Sequence, residues 1–188
     1  MTTKEVLLQQ ALILFRKEGY DATGVQKIAD AAGVGKPTLY HYFGNKRGLL
    51  NALLTSHLEN FWKDFETAAD YNHDVVKTLE SVARVYFEFA KNNPEFYAWF
   101  MSMGNAPTEG DIHDEVLPLC EKQWTALSEL FLAASKDHGN MKGRHQRYAY
   151  TFLGIINASI QAYFSGLIKL NDRDVYDTCH QFMHGIFS

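Results

Sequence analysis

At 188 residues, 46% apolar and 14% aromatic, the chain is long enough to bury a sizeable core and far from a disordered composition. It has no apolar run of the ~18 residues that a membrane span needs and no secretory signal at its start, so a cytoplasmic protein with no membrane association is expected. The net charge of −4 is unevenly spread: residues 1–50 carry seven Lys and Arg against four Asp and Glu, a balance of +3, and the remainder eleven against eighteen, a balance of −7. A basic start on an acidic body suits a protein that offers one end to a polyanion.

Helical periodicity runs through the whole chain and strand-like alternation is rare, which predicts an all-α fold of about nine helices. The first helix spans about Lys4 to Glu18, with Leu7, Ala11, Leu14 and Phe15 on one face and Gly19 as its stop. Thr23 is placed to cap a short second helix whose inward residues are Val25, Ile28, Ala29 and Ala32. Gly33 and Gly35 permit a sharp turn, and Pro37 fits the first turn of a two-turn third helix. In that helix Leu39 and Phe43 point inward, leaving Thr38, His41 and Tyr42 on the flank or outside.

A fourth helix begins near Lys46, with Leu50, Leu53, Leu54, Leu58, Phe61 and Phe65 as its apolar stripe. The fifth, about Asp74 to Lys91, is apolar on nearly every face towards its end and is expected at the centre. Asn93-Pro94 opens a short aromatic helix ending at Gly104, and Gly104 to Gly110 reads as a loop. The seventh helix is expected from about Asp114 to Asp137, and Pro118 is tolerable only if it lies in the first turn. The eighth runs from the His138–Gly143 break to about Leu170, and the last opens at Asp172 or Asp174. Residues 1–48 then form a three-helix, helix-turn-helix head suited to DNA, and 49–188 a larger helical body.

The stretch from Gly33 to Lys46 is the most informative. A glycine-bearing turn leads into a helix carrying hydroxyl, phenol, imidazole and ammonium groups, and a duplex groove needs such donors at close range. Lys36 and Lys46 bracket the helix and can each neutralise a phosphate. Thr23 and Tyr42 can donate to phosphate oxygens, while Thr38, Tyr40 and His41, behind Pro37, can approach bases or sugars.

Residues 4–54 resemble the N-terminal domain of the TetR family of bacterial transcriptional regulators. The resemblance rests on Ala11-Leu12-Ile13-Leu14-Phe15, Gly19-Tyr20, Ala22-Thr23, Ile28 to Val34, and Thr38-Leu39-Tyr40-His41-Tyr42-Phe43 with Lys46. It implies a homodimer of nine or ten helices, with 1–48 as the DNA-binding domain and 49–188 as the ligand-binding and dimerisation domain, that binds a palindromic double-stranded operator, usually represses transcription and is released by a small molecule. Thr23, Lys36, Thr38, Tyr40, His41, Tyr42 and Lys46 match the family's DNA-contacting positions. Gly24 and Gly35 stand where a hydroxyl is common, and Arg47-Gly48 replaces the usual acidic pair, making this end more basic.

Gly154, Ala158, Ala162 and Gly166 recur every four residues along the eighth helix, a smooth stripe for close helix approach. With Phe182 and Ile186 of the last helix they are the expected dimer interface. Tyr86, Phe89, Tyr97, Phe100, Met103, Gln123, Trp124, Tyr150 and Asn157 are expected to line a site for a small hydrophobic or aromatic effector. His180 and His184 are i, i+4 but lack a third ligand, and Asp111, Asp114 and Glu115 around His113 read as an acidic loop before a helix, explained by capping and the helix dipole, so neither metal nor cofactor is expected. The two cysteines, Cys120 and Cys179, read as buried reduced thiols. No nucleophile–base pairing appears, so no catalytic residue is assigned. The competing reading is a helical small-molecule binding protein without DNA function.

Overall fold

In the computed structural model, residues 1–103 and 109–185 are described. Among them the chain forms nine α-helices and no strand: α1 (Thr3–Glu18), α2 (Val25–Ala31), α3 (Lys36–Phe43), α4 (Lys46–Ala68), α5 (Val75–Asn92), α6 (Pro94–Met103), α7 (Asp111–Ala134), α8 (His145–Phe164) and α9 (Asp172–His184). A 3₁₀ turn, Gly139–Met141, precedes α8. The helices pack as two compact units, Met1–Glu59 with Ala98–Leu117, and Asn60–Tyr97 with Pro118–Ser188.

Helix starts follow from local chemistry. Thr2 accepts from the Glu5 N–H at 3.3 Å while the Glu5 carboxylate accepts from the Thr2 N–H at 2.8 Å, a reciprocal box that opens α1. Asn171 and Asp174 make the same box before α9, so of the two aspartates considered from sequence it is Asp172 that begins the helix. Asp74 caps α5 from outside by accepting from the Lys77 N–H at 3.0 Å. Asn45 does the same for α4, its side chain accepting from the Gly48 N–H at 2.7 Å.

In the first unit the core is Leu7, Leu8, Ala11, Leu12, Leu14 and Phe15 of α1, Ile28 and Ala29 of α2, Leu39 and Phe43 of α3, and Leu49, Leu50, Leu53 and Leu54 of α4. Trp99 of α6 stacks on Phe15 at 6.0 Å between ring centroids, so the α6–α7 corner shares this core. In the second unit α5 is central, as its sequence predicts, burying Leu79, Val82, Ala83, Tyr86, Phe87 and Ala90. Phe131, Phe152 and Phe182 join α7, α8 and α9 with ring centroids 5.0 to 6.0 Å apart.

Several sequence expectations are corrected. Thr23 does not cap α2: Gly24 stands at the cap with no side-chain bond, and Thr23 is fully buried. Gly33 has φ +69°, the left-handed turn conformation, whereas Gly35 has an ordinary extended backbone (φ −78°, ψ 152°) at the start of α3. Helix α7 begins three residues early, at Asp111, so Pro118 lies inside it and the Asp114 carbonyl loses its helical donor. Helix α8 ends at Phe164 rather than near Leu170, because Gly166 adopts φ +75° in the turn that follows. Cys120 is half-buried, while Cys179 is fully buried, its thiol pKa pushed up to about 12 by that burial. Gly104, the expected end of α6, and most of the Gly104–Gly110 loop lie outside the described residues, as does Ile186.

Candidate nucleic-acid interface

Helix α3 is held from behind and offered in front. Leu39 is 0% and Phe43 9% exposed, anchoring one face in the core of the first unit. Helical spacing then forces Pro37, Tyr40, His41 and Tyr42 to the outside, where all four are exposed, with Lys36 and Thr38 half-buried at the flank. The Lys36 ammonium lies 5.8 Å from the Tyr40 ring centre, and His41 meets Tyr42 edge-on at 5.5 Å. The exposed surface of this two-turn helix thus carries two phenols, an imidazole and a flanking ammonium, a set able to donate to phosphate oxygens and base edges.

Two predicted contacts are placed differently. The Thr23 hydroxyl donates to the Gly19 carbonyl at 2.7 Å, closing the α1–α2 turn from within rather than facing a ligand. The Lys46 ammonium, at the first residue of α4, sits over the Tyr20 ring, 4.2 Å from its centre, and donates to the Asp21 carbonyl at 3.2 Å. Partial burial there lowers its pKa from the usual lysine value. Arg47 does not add free positive charge to this end, since its Nε donates to Glu115 at 2.6 Å and its Nη1 to Asp114 at 3.2 Å. Tyr20, Asn45, Asp111 and Glu115 had no assigned part in this site from sequence. The repeated i, i+4 spacing of Arg47 with Asn51 and of Asp111 with Glu115 is the signal that could have found the last two.

Residues 7–53 match the family described as "Bacterial regulatory proteins, tetR family". The HTH-type transcriptional activator FasR of Mycolicibacterium smegmatis is 34% identical over 156 residues, covering 83% of this chain and 68% of FasR. The chain belongs to the TetR family. It is a DNA-binding transcriptional regulator with an all-α, helix-turn-helix architecture, and the relatives it matches are regulators rather than enzymes. A Clostridium perfringens protein provisionally described as a fatty acid metabolism regulator has the same fold, with a TM-score of 0.81 at 19% identity over 97% of this chain and 99% of that one. FadR of Bacillus subtilis, solved with stearoyl-CoA, follows at TM-score 0.76 and 16% identity over 97% and 98%.

The residues expected to line a TetR-family effector site divide into three groups. Tyr86, Phe89, Tyr97, Gln123 and Asn157 come together in the second unit. The Tyr86 hydroxyl donates to Gln123 Oε1 at 2.9 Å and the Tyr97 hydroxyl to Asn157 Oδ1 at 2.7 Å, with Phe89 6.0 Å from Tyr97. Burial holds both phenols well above their ordinary pKa. Trp124 and Tyr150 instead pair edge-on at 6.1 Å on the outside of α7 and α8, 41% and 55% exposed, in an open cleft of about 450 Å³. Phe100 and Met103 belong to the first unit.

Of the expected dimer residues, Gly154 and Ala158 are exposed on α8, Ala162 and Phe182 are half-buried, and Gly166 lies past the helix end. Among the described residues no helix is long and apolar enough to cross a membrane.

Proposed function

We propose that the protein is a homodimeric repressor that reads a palindromic operator through α3 and is released by a small hydrophobic effector. The observation carrying this reading is α3 itself: a helix anchored by Leu39 and Phe43 whose other face exposes Tyr40, His41 and Tyr42. Lys36, Pro37 and Thr38 complete the groove-facing set, with Lys46 as the phosphate contact at the start of α4. Thr23 is left out because it is buried. Dimerisation is assigned to the exposed side of α8, where Gly154 and Ala158 leave room for a second helix, together with α9.

The effector site is assigned to the Tyr86–Gln123 and Tyr97–Asn157 pairs, which offer polar groups inside aromatic walls formed by Phe61 and Phe89. The stearoyl-CoA held by B. subtilis FadR makes acyl-CoA thioesters the first compounds to screen. Control requires that the effector bind the DNA-free arrangement more tightly than the DNA-competent one.

Selection of bound sequences from random duplex DNA, followed by anisotropy titration of the winner, tests this directly. Affinity should fall steeply with salt, with a log–log slope of about −0.9 per neutralised phosphate. Lys46→Ala should weaken every duplex alike, whereas Thr38→Ala and His41→Ala should shift base preference, by about 1–3 kcal/mol at an affected position. Indifference to every duplex at low salt would refute the assignment. Reporter expression should rise on deletion of the gene; a fall would make the protein an activator, as FasR is named.

A further inference from the structure

Three acidic residues at the start of α7 lie within the first compact unit, and each grips the DNA-reading head. Asp111 Oδ2 accepts from the Tyr20 hydroxyl at 2.6 Å. Glu115 takes Arg47 Nε on one carboxylate oxygen at 2.6 Å and Asn51 Nδ2 on the other at 2.7 Å. Asp114 adds a contact of 3.2 Å to the Arg47 guanidinium. The spacing makes this a matched surface: Asp111 and Glu115 are one turn apart on α7, and Arg47 and Asn51 one turn apart on α4. Glu115 is well shielded, its side chain 14% exposed, so its charge is less screened than that of an ordinary surface pair.

These contacts converge on the residues that carry Lys46. Tyr20 is held by its hydroxyl on Asp111 while its ring face supports the Lys46 ammonium, and Arg47 follows Lys46 in the chain. Clamping Tyr20 on one side and Arg47 with Asn51 on the other fixes both the α1–α2 turn and the first two turns of α4. We infer that Asp111 and Glu115 are positioning residues for DNA recognition, orienting the Tyr20–Lys46 pair and the start of α4 without touching DNA. Arg47 serves this clamp and is not a phosphate ligand. The inference rests on the proposed DNA-binding reading but separates from it by experiment.

The whole 188-residue chain is titrated by anisotropy against the duplex that the wild type selects from a random pool, across a series of KCl concentrations. Arg47→Ala and Glu115→Gln should each weaken binding by about fivefold, the scale of a well-formed ion pair, and leave the salt slope unchanged. Tyr20→Phe, which keeps the ring under Lys46 and removes only the bond to Asp111, should behave likewise. The swap Arg47→Glu with Glu115→Arg restores the 47–115 ion pair but sets a carboxylate against Asp114 and a guanidinium against the Asn51 amide, so it should recover only part of the loss. A slope reduced by about one phosphate in Arg47→Ala, with Glu115→Gln neutral or tighter, would make Arg47 a DNA contact and overturn the inference. Full affinity in all the single variants would overturn it too.

A DNA-free arm keeps the two readings apart. Amide exchange in residues 49–54 of α4 should quicken in Arg47→Ala and Glu115→Gln and slow again in the swap, whether or not any duplex binds. Unchanged exchange removes the clamp, whereas wild-type indifference to DNA with altered exchange removes only the DNA-binding reading.

Discussion

At the residue scale, Gly48 shows how a departure from family pattern acquires a steric meaning. A Cβ at this position would fall 2.0 Å from the Phe43 carbonyl oxygen, a backbone atom at the end of α3 that cannot step aside. The glycine therefore sets how closely α4 can follow α3, with Asn45 capping α4 through the Gly48 N–H. Gly48→Ala should destabilise the protein by about 1–3 kcal/mol, the range of an overpacked contact, measured by urea unfolding. A stability equal to wild type would show that the junction has slack. Arg47 makes the companion point: its charge counts towards a basic head in composition, yet in the fold it is neutralised by Glu115 and Asp114.

At the scale of elements, α7 is unusual in carrying a proline as its eighth residue. Pro118 cannot donate to the Asp114 carbonyl, and its ring crowds the preceding turn. The boundary between the two compact units falls at this peptide, between Leu117 and Pro118, where the helical ladder lacks a bond. Pro118 is exposed, so its replacement removes little packing. Pro118→Ala should raise stability by roughly 1–3 kcal/mol, read as a higher Tm in a circular dichroism melt. An unchanged or lower Tm would mean that the helix is already relaxed around the ring. Helix α3 is the opposite case, a short element with little stability of its own that keeps its shape through two buried anchors, Leu39 and Phe43.

For the whole molecule, the buried phenols govern behaviour at high pH. Burial first, and then the bond to Asp111, holds the Tyr20 proton above the ordinary phenol value, and burial does the same for Tyr86 and Tyr97. Above about pH 10 the unfolded chain releases these protons while the folded chain keeps them. The stability they contribute is therefore complete below that pH and is lost as the pH rises past it. Absorbance at 295 nm should show this phenol group ionising only together with loss of the helical signal; ionisation with the helices intact would show the three to be accessible. Association belongs to the same scale. Gly154→Leu should convert the proposed dimer to monomer in sedimentation, since its Cβ now meets nothing within 4 Å along the exposed side of α8. A dimer that persists would move the interface elsewhere.

The amino-acid sequence by itself determined the all-α class, the order of the nine helices among the described residues and the outward set on α3. Those depend on period and local chemistry: apolar residues every three or four positions, and a glycine turn followed by a proline. It also named Tyr86, Phe89, Tyr97, Gln123 and Asn157, which share one cluster in the fold. Only the tertiary structure decided that Thr23 is buried, that Trp124 and Tyr150 lie outside that cluster, and that Asp111 and Glu115 bind Tyr20, Arg47 and Asn51. These pairs are 64 to 91 residues apart in the chain, and no local periodicity encodes which distant charge or hydroxyl a side chain will meet once the helices pack.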